Sequence, residues 1–430
     1  MIVAFKTLGC KTNQFETGAL QTLLTARGHQ IAQAGEIADV VVINTCAVTA
    51  ESSRKSRQAA RRARIDHPGC VVAVCGCLSQ LSSEEVAALE ADLIGGSGDR
   101  AAFVEDLERM IAGEVPQTVI DIARERSTFE ILPAGGLEGR TRALLKVQDG
   151  CDNFCTYCII PYARGPVRSM PFAVAVEQAQ TLAAQGYQEL IITGIEISSY
   201  GLDVPGGLDI VDLIDVICTA VPNLRVRLGS LEPRTITADF CTRLKGHANL
   251  CPHFHLSLQS GSDDTLRRMG RRYDTARYLE SVALLREAFP DVAITTDLIV
   301  GFPGESAADF DESLAFLRTC GFSAVHVFPY SARAGTKAAA WADQIPKAER
   351  SRRARIAGEL AKELQQAWLA AQVGKTVEVL FEEEERGHTP NYCAVSVTGV
   401  KLKNKCARVR IHGVSDEMLL GDLQPPGNDL

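Results

Sequence analysis

Cys151, Cys155 and Cys158 stand in a C-x3-C-x2-C arrangement inside GCDNFCTYCIIPYARG. Gly150, Asp152 and Asn153 are turn-forming residues, so these thiols belong to a loop rather than a core strand. Spacing this close lets three thiolates converge on one cofactor. Iron–sulfur clusters are normally held by four cysteines. Three would leave one iron open to another ligand, much as a catalytic zinc keeps an open position. Two blander readings stand beside this one. Free cysteines pack as small hydrophobes, and zinc could use the same thiols, though no nearby His or fourth Cys completes such a site.

A second set is dispersed: Cys10 in TLGCKTNQ, Cys46 in INTCAVT and Cys77 in CGCLSQ. Each follows a Val- or Ile-rich run that reads as a strand. In an open parallel sheet the carboxyl ends of the strands line one crevice, so three thiols far apart in sequence could meet there. Strand-end cysteines can also be purely structural. Cys70 and Cys75 compete for the third place, and Cys75 would face the same way as Cys77 on a continuous strand. Cys218, Cys241, Cys251, Cys320, Cys393 and Cys406 are scattered and read as structural.

The elements that must position these residues fall into three segments. Residues 1–135 alternate strands (IVAFKTLG, ADVVVINT, CVVAVCG) with helical stretches, Thr49 standing as N-cap of the second. This βα alternation predicts a small open parallel sheet. Gly135, Gly136 and Gly139 mark a linker. Residues 136–373 hold six strand candidates, ALLKVQ, ELIITG, RVRLGS, FHLSL, AITTDLIV and AVHVFPY, separated by helices. They predict an α/β barrel or partial barrel with function at the carboxyl ends of its strands. A long helix over 346–373 leads into residues 374–430, where KTVEVLFEE, NYCAVSVTG and CARVRIHG predict a small all-β barrel and QPPGNDL a frayed tail.

The loop, with Tyr157 before its last cysteine, resembles the signature of radical-SAM enzymes. That resemblance implies a 4Fe-4S cluster on Cys151, Cys155 and Cys158. Its open iron would chelate S-adenosylmethionine (SAM), and one electron would cleave SAM to methionine and a 5′-deoxyadenosyl radical. The dispersed set is similar to that of the methylthiotransferases of this superfamily, which implies a second, auxiliary 4Fe-4S cluster on Cys10, Cys46 and Cys77. Their GCxxQ pattern matches Gly76, Cys77 and Gln80, favouring Cys77 over Cys75. Further stretches resemble SAM-contacting motifs: Gly194 and Glu196 in TGIEISSYG, Ser230 and Glu232 in GSLEP, Gln259 in HLSLQSGS, and Ile299 to Gly301 in DLIVGFPGE. Tyr157 joins them as a SAM contact. Glu196 departs from the motif, since an acidic residue is not expected there.

The resemblance spans nearly the whole chain, including a C-terminal TRAM-like module. Its branches modify tRNA adenosines carrying isopentenyl or threonylcarbamoyl groups, or an aspartate of a ribosomal protein. NTCAVTAESSRKSRQ, KVQDGCDNFCTYCIIPYARGPVRS and RVRLGSLEP look most like the threonylcarbamoyl branch, implying methylthiolation of N6-threonylcarbamoyladenosine beside the tRNA anticodon. A non-catalytic iron–sulfur RNA regulator and a zinc-binding RNA module are rivals from other classes.

Bulk numbers set the frame. The 430 residues, 46% hydrophobic and 23% charged, suit a globular protein of two or three domains. No apolar run approaches the roughly 20 residues of a membrane span, and no export signal is apparent. A cytoplasmic protein is expected, in which 14 cysteines point to metal or redox chemistry rather than disulfides. The net charge of −8 argues against a nucleic-acid partner only on average. Three basic clusters run against it: Arg54, Lys55, Arg57 and Arg61 with Arg62 and Arg64; Arg267, Arg268, Arg271 and Arg272; and Lys401, Lys403 and Lys405 with Arg408 and Arg410. They predict a dispersed phosphate-binding surface for tRNA. A reductant protein and a sulfur source are further expected partners, with a monomer as default.

Overall fold

The computed structural model describes residues 1–82, 86, 91–114, 120–135 and 139–425. Gly136 of the expected linker and residues 426–430 of the expected tail lie outside the described residues.

Strands β1 (Ile2–Thr7), β2 (Gln30–Ile31), β3 (Val40–Thr45), β4 (Val71–Gly76) and β5 (Leu93–Ile94) form one parallel sheet in the order β2-β1-β3-β4-β5. Strand β3, VVVINT, is buried at every position, as a sheet covered on both faces requires. Thr49 caps the helix Ala50–Asp66 by accepting from the Ser52 amide. That helix turns Ser53, Ser56, Ala60 and Ala63 inward, and small residues there let it lie close to the sheet. Because the sheet is parallel, the residues after β1, β3 and β4 emerge along one edge, and these are Cys10, Cys46 and Cys77.

The central segment carries β6 (Arg142–Lys146), the short antiparallel ribbon β7 (Gln148–Asp149) with β8 (Arg168–Ser169), then β9 (Glu189–Thr193), β10 (Arg225–Leu228), β11 (Ser230–Leu231), β12 (His253–Leu256), β13 (Ala293–Val300) and β14 (Ala324–Pro329). All six expected strands are present. They lie in two parallel sheets, β10-β9-β6 and β11-β12-β13-β14, bridged where Val226 meets Leu250. The result is an open barrel in sequence order. Its outer face carries the largest core, including Leu190, Ile192, Leu213, Phe254, Tyr278 and Leu298.

The helix Lys347–Ala370 then leads into a closed barrel of β15 (Thr376–Phe381), β16 (Arg386–His388), β17 (Ala394–Ser396), β18 (Cys406–Ser415) and β19 (Met418–Leu423). The three expected strands here are joined by β16 and β19. Buried arginines tie this barrel to the central one. Arg227 holds Glu189 at 2.7 Å and reaches the Pro390 carbonyl at 2.9 Å, and Arg225 pairs with Glu378. No helix among the described residues is long and apolar enough to cross a membrane.

Candidate functional site

The ribbon β7–β8 pinches the cysteine loop at its base. Gly150 has φ +74°, and a Cβ there would overlap the Pro166 carbonyl, so only glycine lets the two ends of the loop close. Within it the Cys151 amide donates to the Gly165 carbonyl and the Cys158 amide to the Cys155 carbonyl. Asp152 fixes the return by accepting from the Val167 amide at 2.9 Å. Cys151 and Cys155 are buried, and Cys158 is half-buried.

At the sheet edge, Gly9 brings the turn after β1 against Cys46. Its φ is +104°, and a Cβ would stand 2.9 Å from the Cys46 sulfur. Asn13 holds this corner by donating to the carbonyls of Leu8 and Thr45. Gly76, at φ +106°, ends β4 and starts the helix Cys77–Leu81. The two-residue alternation therefore stops before Cys77. Cys75 packs with Val3, Leu20 and Val42 in one core, whereas Cys77 packs with Ile43, Val74 and Leu78 in another. Cys77 is the one electrostatically close to Cys46 and Cys10.

Buried thiols resist ionisation. Burial pushes Cys77, Cys151 and Cys158 up to about 12 and raises Cys46. Such thiols become ligands only when a metal centre supplies the compensating charge. Each triplet also has one buried arginine on a sulfur: Arg164 Nε lies 3.1 Å from Cys77 Sγ, and Arg271 Nη1 lies 3.3 Å from Cys155 Sγ. Among the described residues, neither triplet draws its three sulfurs within 4.8 Å of one another. A tetrahedral zinc with Zn–S of about 2.3 Å needs sulfurs about 3.8 Å apart. Three thiols in each set, with no histidine or carboxylate among the described residues completing four ligands, are the donor chemistry of an iron–sulfur centre.

The two sites share one charged core. Glu16 lies 2.8 Å from Arg100 and 2.9 Å from Lys146, and it pairs with Arg164. Burial works against its charge, but Arg164, Lys146 and Arg100 overcome this and hold its carboxyl well below the usual range. Asp149 answers Lys146 at 2.8 Å from the foot of the cysteine loop. None of these buried charges stood out in the sequence. Their only cue was polar residues inside apolar-patterned elements.

The SAM-motif residues divide. Asn153, on the cysteine loop, donates to Glu196 at 3.4 Å and to Glu232 at 3.3 Å, bringing three of the marked stretches together. Burial, then the neighbouring Glu232 charge, lifts Glu196 to about 7. Glu232 pairs with Arg271 at 3.0 Å. Gly194 stands against Gln148, whose side chain accepts from the amides of Ile195 and Glu196. Gly194 and exposed Ser230 face a shared cavity. Gln259 holds φ +70°, and its carbonyl accepts from the Ile299 amide. Tyr157 and Ile299 pack around Phe302. At Gly301, with φ +69°, a Cβ would run into the Arg350 side chain. Close packing of the helix Lys347–Ala370 and the positive φ both favour glycine at this point.

A cavity of about 640 Å³ opens between the three segments. Cys10 and Lys11 line one side, Gly194 and Ser230 another, the inner faces of β12 to β14 a third, and Trp368 with Tyr392 the last. It places the sheet-edge thiol and the barrel rim on one open cleft. Sequence reasoning placed function at strand ends and passed over His253, His255, Asp297 and His326 on this wall.

The expected basic surface is partly corrected. Arg54, Lys55 and Arg61 are exposed on the helix Ala50–Asp66, with Arg57 half-buried, although Arg54 is engaged by Glu51 at 2.6 Å. Lys401, Lys403 and Lys405 are exposed on the loop before β18. In the cluster at 267–272, Arg267, Arg268 and Arg272 are exposed and only Arg271 is withdrawn from the surface. Arg271 is buried on Cys155 and Glu232, Arg268 pairs with Asp343 and Arg267 with Asp264. Arg268 and Arg271 meet acids that lie elsewhere in sequence, whereas Asp264 is on the same helix as Arg267.

Residues 145–317 match the family model of the Radical SAM superfamily, and residues 2–96 match Uncharacterized protein family UPF0004. Threonylcarbamoyladenosine tRNA methylthiotransferase MtaB of Aquifex aeolicus is 37% identical, over 96% of this chain and 100% of its own length. The protein of the same name from Bacillus subtilis is 36% identical, over 95% and 93%. The tRNA-2-methylthio-N(6)-dimethylallyladenosine synthase of Symbiobacterium thermophilum is 34% identical, over 90% and 84%. Among solved structures, the radical S-adenosylmethionine methyltransferase TsrM of Kitasatospora setae shares the fold, with a TM-score of 0.56 and 16% identity over 79% of this chain and 75% of that one. Full-length identity of this order, on a fold that carries both cysteine triplets, places the chain among the radical-SAM tRNA methylthiotransferases, transferases that use SAM and two 4Fe-4S clusters.

Proposed function

We propose that this protein inserts a methylthio group at C2 of N6-threonylcarbamoyladenosine next to the anticodon of tRNA. The observation that carries this reading is the cavity: Cys10 and the Gly194–Ser230 rim open onto the same volume, and His253, His255, Thr295, Asp297 and His326 line it too. Cys151, Cys155 and Cys158 would hold the SAM-cleaving cluster, and Cys10, Cys46 and Cys77 the auxiliary one. When bound, these groups and SAM supply a carbon-centred radical and a carried methylthio unit. The chain's own part is to orient and to exclude water. Asn153, Glu196 and Glu232 form the polar rim for SAM with Gly194, Ser230, Gln259, Ile299 and Tyr157, and the cavity holds the adenine within reach of both centres. Exposed Lys55, Arg61, Lys401, Lys403 and Lys405, with Arg54 and Arg57, would contact the RNA backbone without reading sequence. A cytoplasmic reductant protein and a sulfur source complete the reaction.

A dimethylallyl group offers no hydrogen bonds, and burying it against this wall would leave the buried His253 Nδ1 unpaired. A buried unpaired group of this kind costs about 1–3 kcal/mol. The threonylcarbamoyl group carries matching donors and acceptors. The test is reconstituted protein with anticodon stem-loop RNA bearing threonylcarbamoyladenosine. Cys155→Ser should abolish SAM cleavage. Cys46→Ser should retain some cleavage and lose sulfur insertion. Full-rate insertion by the Cys46 variant would overturn the two-centre reading.

A further inference from the structure

The inner wall of the open barrel carries a polar set outside the motifs that mark the SAM rim. In the parallel register His255 lies opposite Thr295, and Asp297 lies opposite His326. Side chains two apart on a strand share a face, so His253, His255, Thr295, Asp297 and His326 all stand on the cavity side, and all five line it. They are linked. His253 Nε2 lies 3.3 Å from Thr295 Oγ1, which lies 3.0 Å from His255 Nδ1; His255 Nε2 lies 3.3 Å from Asp297 Oδ2. One ligand atom each from His255, Asp297 and His326 falls within 4.8 Å of the others.

Three features say that this wall awaits a ligand. A chain of hydrogen-bonding side chains lines a cavity where a purely structural lumen would be apolar. His253 is 6% exposed, yet its Nδ1 is buried without a partner, a state that costs free energy until something fills it. Arg227 and Lys11 bring positive charge near this wall, which also carries the Asp297 carboxylate. Burial, then the charges of Arg227, His255, Lys11 and His326, hold His253 well below its ordinary range and so neutral. Arg227 is answered by Glu189, whereas Lys11 opens the helix Lys11–Ala26 at the cavity mouth, next to Cys10.

We infer that His255, Asp297 and His326, with His253 and Lys11, form the subsite for the N6 substituent of the substrate adenosine, and that this subsite takes a carboxylate-bearing aminoacyl group. The inference rests on the proposed function and names the residues that set its specificity. Asp297 accepts from a substituent N–H or hydroxyl. His326 and Lys11 face its carboxylate, and His253 Nδ1 meets its carbonyl or amide. The adenine ring is left towards Gly194 and Cys10. A site built to hydrogen-bond its substrate rejects an analogue lacking those groups far more strongly than an apolar pocket does.

The experiment uses the holoenzyme with both clusters reconstituted and two anticodon stem-loop RNAs, one with threonylcarbamoyladenosine and one with dimethylallyladenosine. His326→Leu changes an exposed residue and Asp297→Asn is nearly isosteric, so neither threatens the core. Each should raise KM for the threonylcarbamoyl RNA at least tenfold while kcat/KM for the dimethylallyl RNA stays level or rises. Equal losses on both RNAs, or no change on either, would overturn the subsite. The parent reading fails differently: wild-type enzyme would then modify the dimethylallyl RNA and not the threonylcarbamoyl RNA, before any variant is made.

Discussion

Arg164 donates from Nε to the sulfur of Cys77 at 3.1 Å, although it sits on the cysteine loop of the barrel and Cys77 on the edge of the N-terminal sheet. It stands six residues after Cys158, at the end of the helix Ile160–Arg164. The same guanidinium reaches Glu16 and, at 2.7 Å, the Asn13 side chain. One side chain thus connects the two thiol triplets through a fully buried ionic core.

Removing Arg164 should therefore act on both stability and the sheet-edge centre. Arg164→Met leaves Glu16 with Arg100 and Lys146 alone and should cost about 3 kcal/mol in denaturant unfolding, the scale of a broken buried pair. Arg164→Lys keeps the charge but loses the Nε donor. Hydrogen bonds to cluster sulfurs tune reduction potentials. In a redox titration followed by electron paramagnetic resonance, the Lys variant should shift the auxiliary centre and leave the loop centre in place. Equal shifts in both, or none, would contradict the assignment.

Gly9→Ala separates the two centres from the other direction. Its Cβ would strike Cys46 at φ +104°, a conformation alanine avoids. The purified variant should lose sheet-edge iron and sulfur insertion yet still cleave SAM. Wild-type iron content would count against the placing of Cys46.

How far this site was legible in the sequence depended on range. Cys151, Cys155 and Cys158 are close neighbours whose turn residues announce a loop. The ends of β1, β3 and β4 were readable because Val-rich runs mark strands and a parallel sheet aligns their termini. The Arg164–Glu16–Lys146 core was not readable, since its members lie far apart in sequence and each looks like an ordinary surface charge. The same limit explains Arg271, which belongs by composition to a basic run and by packing to Cys155. Two-residue strands such as β2 and β5 are too short for a periodic signal. The lumenal histidines were visible in HFHLSL and AVHVFPY, but nothing in those stretches said which face of the strand they take.

The acidic departure at Glu196 carries a pH signature. Its folded value, about 7, is raised above the ordinary 4.5, first by burial and then by Glu232. The protonated form therefore suits the fold, and this contribution is complete below pH 4.5 and lost as pH rises through about 7. In the cluster-free protein, Glu196→Gln should raise Tm over wild type increasingly between pH 5 and 8 (about one proton's linkage). A Tm difference independent of pH would refute a titrating Glu196.

The RNA surface can be tested by salt. Lys401, Lys403 and Lys405 are exposed, so a triple Ala variant should weaken anticodon stem-loop binding. It should also flatten the plot of log affinity against log salt by about 0.7–0.9 for each phosphate no longer neutralised. Arg268→Ala, whose side chain is held by Asp343 at 2.5 Å, should leave that slope unchanged. An unchanged slope in the Lys variant would remove this loop from the interface.

The most direct measurement is nucleoside mass spectrometry of tRNA from cells with and without the gene. Loss of 2-methylthio-N6-threonylcarbamoyladenosine, with the unthiolated nucleoside accumulating, is the predicted result. An unchanged threonylcarbamoyladenosine profile, or loss of the methylthio form of dimethylallyladenosine in its place, would contradict the account.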